Sequence, residues 1–278
     1  QLLEPAGSLT FEQAYEYYKQ LILAGKDADV IVFETMTDLY ELKAAVLAAK
    51  ENSDKPIFTT MTFERNMRTF TGTLPSAFAV TMENLGVDAL GVNCSLGPDD
   101  LEPNAGLPDP NTNEYDVMPD DFAKSSLSLL KYGVKVLGGC CGTNPEYIKA
   151  LKDALADKKY QPSKSQVDTI VCSASSVVEV NHPRIIGERI NPTGKKLFKQ
   201  ALVDNNIDYI LTQALSQTGA GAEILDVNVG HPEIDEKQMM VRVLKAIQSV
   251  CDAPLQIDST KPDVLEAGLR AYNGRPIV

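Results

Sequence analysis

The chain has 278 residues, 44% of them hydrophobic and 23% charged, which suits one large globular domain or two ordinary ones and excludes a disordered or low-complexity chain. No apolar run approaches the roughly 18 residues that a spanning helix needs, so no membrane segment is expected. The 38 acidic and 26 basic residues leave a formal charge of −12, which argues against a nucleic-acid partner, since that needs a basic face. Five cysteines (Cys94, Cys140, Cys141, Cys172 and Cys251) without a signal peptide do not read as a disulfide framework. A reducing, cytoplasmic setting is expected. The start at Gln1 and the apolar end Arg275-Pro-Ile-Val278 read as cuts through a longer protein.

Helix and strand alternate along the chain. Thr10 and Gln13 form a capping box before an amphipathic stretch, with Phe11, Ala14, Tyr15, Tyr18, Leu21 and Ile22 on one face. Gly25 ends it. Asp29–Phe33 predicts a buried strand ending in Glu34-Thr35. Asp38, with Glu41 three residues on, caps a helix through Lys50. Pro56–Phe63 is the next strand; a helix near 75–85 stops at Gly86; Asp88–Cys94 is a third strand. Lys135–Leu137 predicts another, running into Gly138-Gly-Cys-Cys-Gly-Thr143. Asn144 then caps a helix with Pro145 at its first position.

Residues 158–181 read as a linker containing a short β-rich piece, Thr169–Val180. The alternation restarts with strands at Ile185–Ile190, Ala222–Val229 and Pro254–Asp258, a helix opening at Pro262, and a last strand beginning at Pro276. Nearly continuous apolar strands separated by helices signal parallel sheets covered on both faces. The segment 97–121 does not fit: it is acidic and holds five prolines. Between Cys94 and Pro103 there is too little chain for a parallel crossover, which takes a dozen or more residues. Something is expected to be missing there.

Cys94 ends a predicted strand, and Cys140-Cys141 follow another inside a glycine-rich turn. In a parallel α/β barrel the C-terminal strand ends collect the chemistry. Three thiols at one rim suit Zn²⁺ and leave a fourth position open, as in a catalytic site. A thiol bound there would lose its proton to the metal and become a nucleophile. The competing reading is that buried cysteines are small hydrophobes, which covers Cys172 and Cys251.

Asp88-Ala-Leu-Gly-Val-Asn-Cys-Ser95, Pro103-Asn-Ala-Gly106 and Gly138–Thr143 resemble the zinc-thiolate motifs of homocysteine S-methyltransferases, and Phe33-Glu-Thr35 with Asp38 and Glu41 resembles an earlier motif of that family. The resemblance implies that Cys94, Cys140 and Cys141 are zinc ligands and that homocysteine sulfur takes the fourth position. It also implies homocysteine contacts from Glu34, Asn93 and Gly139. A strand-end carboxylate such as Glu34 can pair with the substrate ammonium, although it also suits a solvated or capping role. The N–H groups of the Gly138–Gly142 turn can hold a carboxylate.

In the second half, Ile186–Gly194, Leu225-Asp-Val-Asn-Val-Gly230 and Gln256-Ile-Asp-Ser-Thr260 place Asn and Asp at successive strand ends. Such groups suit a flat heterocycle with an amide and an amino group, though singly they also serve as caps and turns. Together these segments resemble the pterin-binding barrel of dihydropteroate synthases and methyltetrahydrofolate methyltransferases. The resemblance implies Asp226, Asn228 and Asp258 on the pterin of 5-methyltetrahydrofolate, with Asn191 nearby.

The order of the two units resembles the N-terminal half of the cobalamin-dependent methionine synthase family. The expected fold is therefore α/β: two (β/α)8 TIM-type barrels in series, both incomplete in this chain. Residues 1–157 would form a homocysteine and zinc unit, 158–181 a linker, and 182–278 the start of a pterin-binding unit. A whole barrel takes about 250 residues, and open strand edges are an aggregation hazard. The resemblance implies methyl transfer from methyltetrahydrofolate through cobalamin, bound by a domain downstream or on a separate chain, to homocysteine. Two other readings stand beside it: a zinc thiol methyltransferase using another donor, and an inactive truncated scaffold. The isolated chain is expected to be poorly active.

Overall fold

The computed structural model describes residues 2–94, 115, 117–160 and 169–278. The Pro103–Gly106 motif and the apparent gap before it lie outside the described residues. No helix among the described residues is long and apolar enough to cross a membrane.

The first half opens with α1 (Phe11–Ala24), whose capping box forms as expected: Gln13 N donates to Thr10 Oγ1 at 3.2 Å and Thr10 N to Gln13 Oε1 at 3.0 Å. Phe11, Ala14, Tyr15 and Ile22 are buried against α2, and Tyr18 packs beside them. Leu21 departs from the expectation. It is 68% exposed, because it falls at the edge of the apolar stripe rather than on its centre line.

Strand β1 (Ile31–Met36) leads to α2 (Leu39–Asn52), started by Asp38 accepting from Tyr40 N at 2.9 Å. Then come β2 (Ile57–Met61), α3 (Pro75–Asn84) and β3 (Ala89–Val92). The three strands form one parallel sheet in the order β1-β2-β3, with Phe33, Thr59 and Leu90 side by side. Strand β1 starts and ends later than expected, so Glu34 and Thr35 lie inside its C-terminal end.

Two helices follow: α4 (Pro119–Leu127), continued by a 3-10 turn at Ser128–Tyr132, and α5 (Pro145–Leu155), capped by Asn144. They meet through an edge-on contact of Phe122 and Tyr147, with ring centroids 5.5 Å apart. The strand expected at Lys135–Leu137 is absent. The segment pairs with no strand among the described residues, and Val136 is 74% exposed. An extended segment becomes a strand only where a neighbour satisfies its N–H and C=O groups.

Within the expected linker, the β-rich piece at Thr169–Val180 forms a hairpin, β4 (Ile170–Ser173) and β5 (Val177–Glu179). Strand β4 also pairs antiparallel with the last strand of the chain, at residues 274–275. Gly274 adopts φ +142 there, and any side chain at that position would strike the Cys172 backbone. The hairpin touches both halves: Leu74 N donates to Ala174 O, and Ser173 Oγ donates to Asp252 O at 2.7 Å.

The second half contains β6 (Ile186–Ile190), α6 (Lys196–Val203), α7 (Ile207–Gly219), β7 (Ile224–Val227), α8 (Glu236–Gln248), β8 (Leu255–Ile257), α9 (Pro262–Ala271) and β9 (Gly274–Arg275). Strands β6-β7-β8 form a second parallel sheet, and Ile277 adds one bridge beside Gln256, where a further strand is expected to begin. The fold is α/β with parallel sheets in both halves, and no closed barrel is present among the described residues. Each half has its own apolar core, one around Leu42, Ile57 and Met61 and one around Leu225, Met240 and Leu255.

The halves are joined by polar groups. The ammonium of buried Lys43 on α2 donates to the carbonyls of Leu269 (2.7 Å) and Tyr272 (2.6 Å) at the end of α9. It thus satisfies helix-terminal carbonyls that lack a partner of their own. Burial pushes this ammonium down to about 7. Beside it, Tyr40 donates to Arg270 O at 3.0 Å, and the Arg270 guanidinium binds Glu12 and lies over the Tyr15 ring.

Candidate functional sites

Three thiols converge at the C-terminal end of the first sheet. Cys94 follows β3 in a left-handed conformation, φ +54, which few residues other than glycine adopt. Cys140 and Cys141 sit on the turn before α5. Thr143 closes that turn, its N and Oγ1 both donating to Cys140 O at 3.3 and 2.8 Å. Gly139 is required here, because a Cβ would sit 2.5 Å from Thr143 Oγ1.

The sulfurs of Cys94 and Cys140 are 2.9 Å apart, those of Cys94 and Cys141 3.6 Å, and those of Cys140 and Cys141 3.9 Å. All three are free thiols, at distances well beyond a disulfide's ~2.05 Å. A tetrahedral zinc with Zn–S near 2.3 Å sets its sulfurs ~3.8 Å apart. Two of the three spacings match that figure, and a small shift of Cys94 from Cys140 completes it. Contact with the Cys140 thiol, then burial, then Cys141 push the Cys94 thiol up to about 12. A divalent cation inverts this balance by stabilising thiolates. The donor set and its spacing fit zinc.

The predicted substrate residues divide. Glu34 is exposed at the end of β1, and Gly139 is exposed in the thiol turn. Asn93 is engaged by its neighbours. Its Oδ1 accepts from Thr35 N (3.0 Å) and Thr60 Oγ1 (2.8 Å), and its Nδ2 donates to Thr35 Oγ1 (2.7 Å). Thr35 is also left-handed, at φ +59. Thr35 belongs to the Phe33-Glu-Thr35 motif, where the sequence assigns it no role, and Thr60 is not singled out by the sequence; its signal is its place near the end of β2.

At the same end of the second sheet, Asn191, Asp226, Asn228 and Asp258 form one cluster. Asn228 Nδ2 donates to Asp258 Oδ2 at 2.9 Å. Gln256 Nε2 donates to Asp226 Oδ1 at 2.9 Å, and Asn191 also hydrogen-bonds Asp226. Asp226 is 4% exposed. Burial, then the charges of Asp258 and Glu188, push its carboxyl up to about 6, against the pull of Asn191 and Gln256. Gln256 and Glu188 are further members that the sequence reading missed. Gln256 was detectable as the residue two before Asp258 on one strand, hence on the same face. A supporting trio lies beside the cluster: buried Glu236 accepts from Ser259 Oγ at 2.6 Å and pairs with Lys261 at 2.8 Å.

Two parallel α/β units thus stand in series, the first ending in a three-thiol cluster that could hold a metal ion and the second in an acid–amide cluster. The chain belongs to the homocysteine S-methyltransferase family, whose model matches residues 2–155. Residues 187–278 match the pterin binding enzyme model. The chain is 32% identical over 280 residues to the methionine synthase of Mycobacterium tuberculosis, covering 89% of this chain and 23% of that protein. It is 30% identical over 288 residues to the methionine synthase of Mycobacterium leprae, covering 90% and 24%. The chain thus spans about a quarter of the length of these curated relatives.

Proposed function

We propose that this chain carries two substrate sites of a methionine synthase-type methyltransferase: a zinc-thiolate site for homocysteine and a pterin site for 5-methyltetrahydrofolate. The net reaction moves a methyl group from the folate through cobalamin to the homocysteine sulfur, giving methionine and tetrahydrofolate. The observation that carries the reading is the convergence of Cys94, Cys140 and Cys141, with sulfurs 2.9–3.9 Å apart, in a chain whose second half matches a pterin-binding family. That second match favours folate as donor over a simple thiol methyltransferase with another donor.

Zinc held by the three cysteines would supply an open Lewis-acid position that keeps the homocysteine sulfur as thiolate at neutral pH. Cobalamin, carried by another domain or chain, would supply the relay for the methyl group. The residues of this chain bind and orient. Glu34 offers a carboxylate to the substrate ammonium, and the N–H groups around Gly139 offer donors to its carboxylate. Asp226 and Asp258 accept from the N–H groups of a pterin, while Asn191 and Asn228 can both donate and accept. Hydrogen bonds from this cluster polarise the ring as it gives up its methyl group. Among the described residues neither cluster includes a histidine, which favours polarisation by these hydrogen bonds over acid catalysis by an imidazole.

The test is zinc content by elemental analysis on chain purified under reducing conditions, beside Cys141→Ser, followed by homocysteine-dependent consumption of free methylcobalamin. About one zinc in the parent, lost in the variant, supports the first site. A folded parent without zinc overturns it. Binding of 5-methyltetrahydrofolate, abolished by Asp258→Ala, tests the second site independently.

A further inference from the structure

We propose that Asn93 is a positioning residue of the thiol centre, acting with Thr35 and Thr60 as a brace that aims Cys94, and that it is not a contact of the substrate. This inference rests on the zinc reading above, but its geometry stands without the metal. Asn93 immediately precedes Cys94, and its side chain joins all three strands of the first sheet. On β1 it holds Thr35 twice, accepting from the N–H and donating to the hydroxyl. On β2 it accepts from Thr60 Oγ1. Its main chain is held as well: Asn93 N donates to Met61 O at 3.2 Å, and Asn93 O accepts from Thr62 Oγ1 at 2.8 Å.

Thr35, in the irregular stretch of β1 between Phe33 and Met36, and Cys94, just past β3, both adopt left-handed backbone conformations, φ +59 and +54. For a β-branched threonine that conformation is an outlier and persists only where surrounding bonds over-determine it. The hydrogen bonds from Asn93 and Thr60 supply that restraint at Thr35, and the Thr62 bond fixes the peptide leading into Cys94. With its Oδ1 accepting two bonds and its Nδ2 donating one, the Asn93 carboxamide retains a single donor position. Its main work is therefore internal. The consequence falls on the Cys94 sulfur, which must meet Cys140 and Cys141 from a separate segment of chain. Outer-shell partners of metal ligands set affinity in this way, and their loss typically lowers it roughly 10–100-fold.

The test compares Thr60→Val, which removes the hydroxyl at constant shape, Thr60→Ser, which restores it, and Asn93→Leu. Two readouts are taken on the full chain. The first is zinc affinity by chelator competition, together with the thiolate charge-transfer spectrum of the Co²⁺ form. The second needs no metal: in excess chelator, a bifunctional thiol-bridging reagent is applied and the fraction of Cys94 bridged to Cys140 or Cys141 is read by peptide mass. Thr60→Val and Asn93→Leu are expected to lower zinc affinity about 10-fold or more, alter the cobalt spectrum and reduce bridging of Cys94, while Thr60→Ser behaves as the parent. Parent-like bridging, affinity and spectrum in Thr60→Val and Asn93→Leu, with homocysteine binding lost in the latter, overturn the proposal. If Asn93→Leu does not fold, the Thr60 pair decides alone: equal bridging in Thr60→Val and Thr60→Ser overturns the brace. A parent that binds no zinc but bridges Cys94, with bridging lost in Thr60→Val, sinks the zinc reading and leaves the brace standing.

Discussion

The two strand-end sites are built in opposite ways. The thiol centre draws on two segments far apart in sequence, one at Cys94 and one at Cys140-Cys141, and two of its three sulfurs are on exposed residues. As thiolates its side chains would repel one another, and in the proposed reading a bound cation offsets that repulsion. The acid–amide cluster of the second half is held by its own hydrogen bonds, Gln256 to Asp226 and Asn228 to Asp258, on adjacent strands of one sheet. Its central carboxyl, Asp226, is buried and accepts from Gln256 and Asn191. A soft-metal site can rely on its ion for organisation, whereas a site for a neutral, flat ligand must be preorganised by the protein.

The largest effect that separates them is chelation. Removing zinc from the parent, or substituting Cys94→Ser, is expected to abolish homocysteine binding while leaving folate binding intact, as read by titration calorimetry with each ligand. Loss of both ligands together would show that the sites depend on one another and break the contrast.

The next effect concerns Asp226. Its folded carboxyl stands at about 6 against 3.8, so the folded state binds more protons between those values. The stability penalty from this group is fully present above pH 6 and disappears as pH falls toward 4. Asp226→Asn is therefore expected to abolish folate binding while stabilising the chain at pH 7.5 by about 1–2 kcal/mol. Denaturant melts at pH 7.5 and 4.5 check this: the advantage of the variant should shrink at the lower pH.

Lys43 gives a pH effect at the junction, outside both sites. Its ammonium is lowered to about 7 from 10.5, so the unfolded chain holds the extra proton between these values. The contribution of this group to stability therefore rises with pH across that window, by at most about 1.4 kcal/mol per pH unit. Lys43→Met should remove that slope, as measured by denaturant midpoints at pH 7 and 9.5. The smallest expected effect is Thr10→Ala, which deletes the α1 cap and should lower stability by about 1 kcal/mol with no change at either site.

Much of this molecule was legible in its residues. Caps at Thr10, Asp38 and Asn144, the alternation of apolar strands with helices, and the glycine-rich turn around Cys140 are local features, and local features are encoded by neighbours a few residues apart. Asp226, Asn228 and Asp258 could be grouped because strand ends of one parallel sheet fall at one rim. Lys135–Leu137 was misread because an apolar run specifies an extended segment, whereas a strand needs a partner supplied from elsewhere. Leu21 was misplaced because periodicity assigns a face but not its edges. The roles of Asn93 and Lys43 were decided only in three dimensions. The partners of Asn93, Thr35 and Thr60, come from other strands, and those of Lys43, at Leu269 and Tyr272, come from the other half of the chain. The residue types alone determined what chemistry was on offer. Which groups are free to perform it, and which are spent holding others in place, depends on hydrogen bonds between segments distant in sequence, and only the tertiary structure sets those.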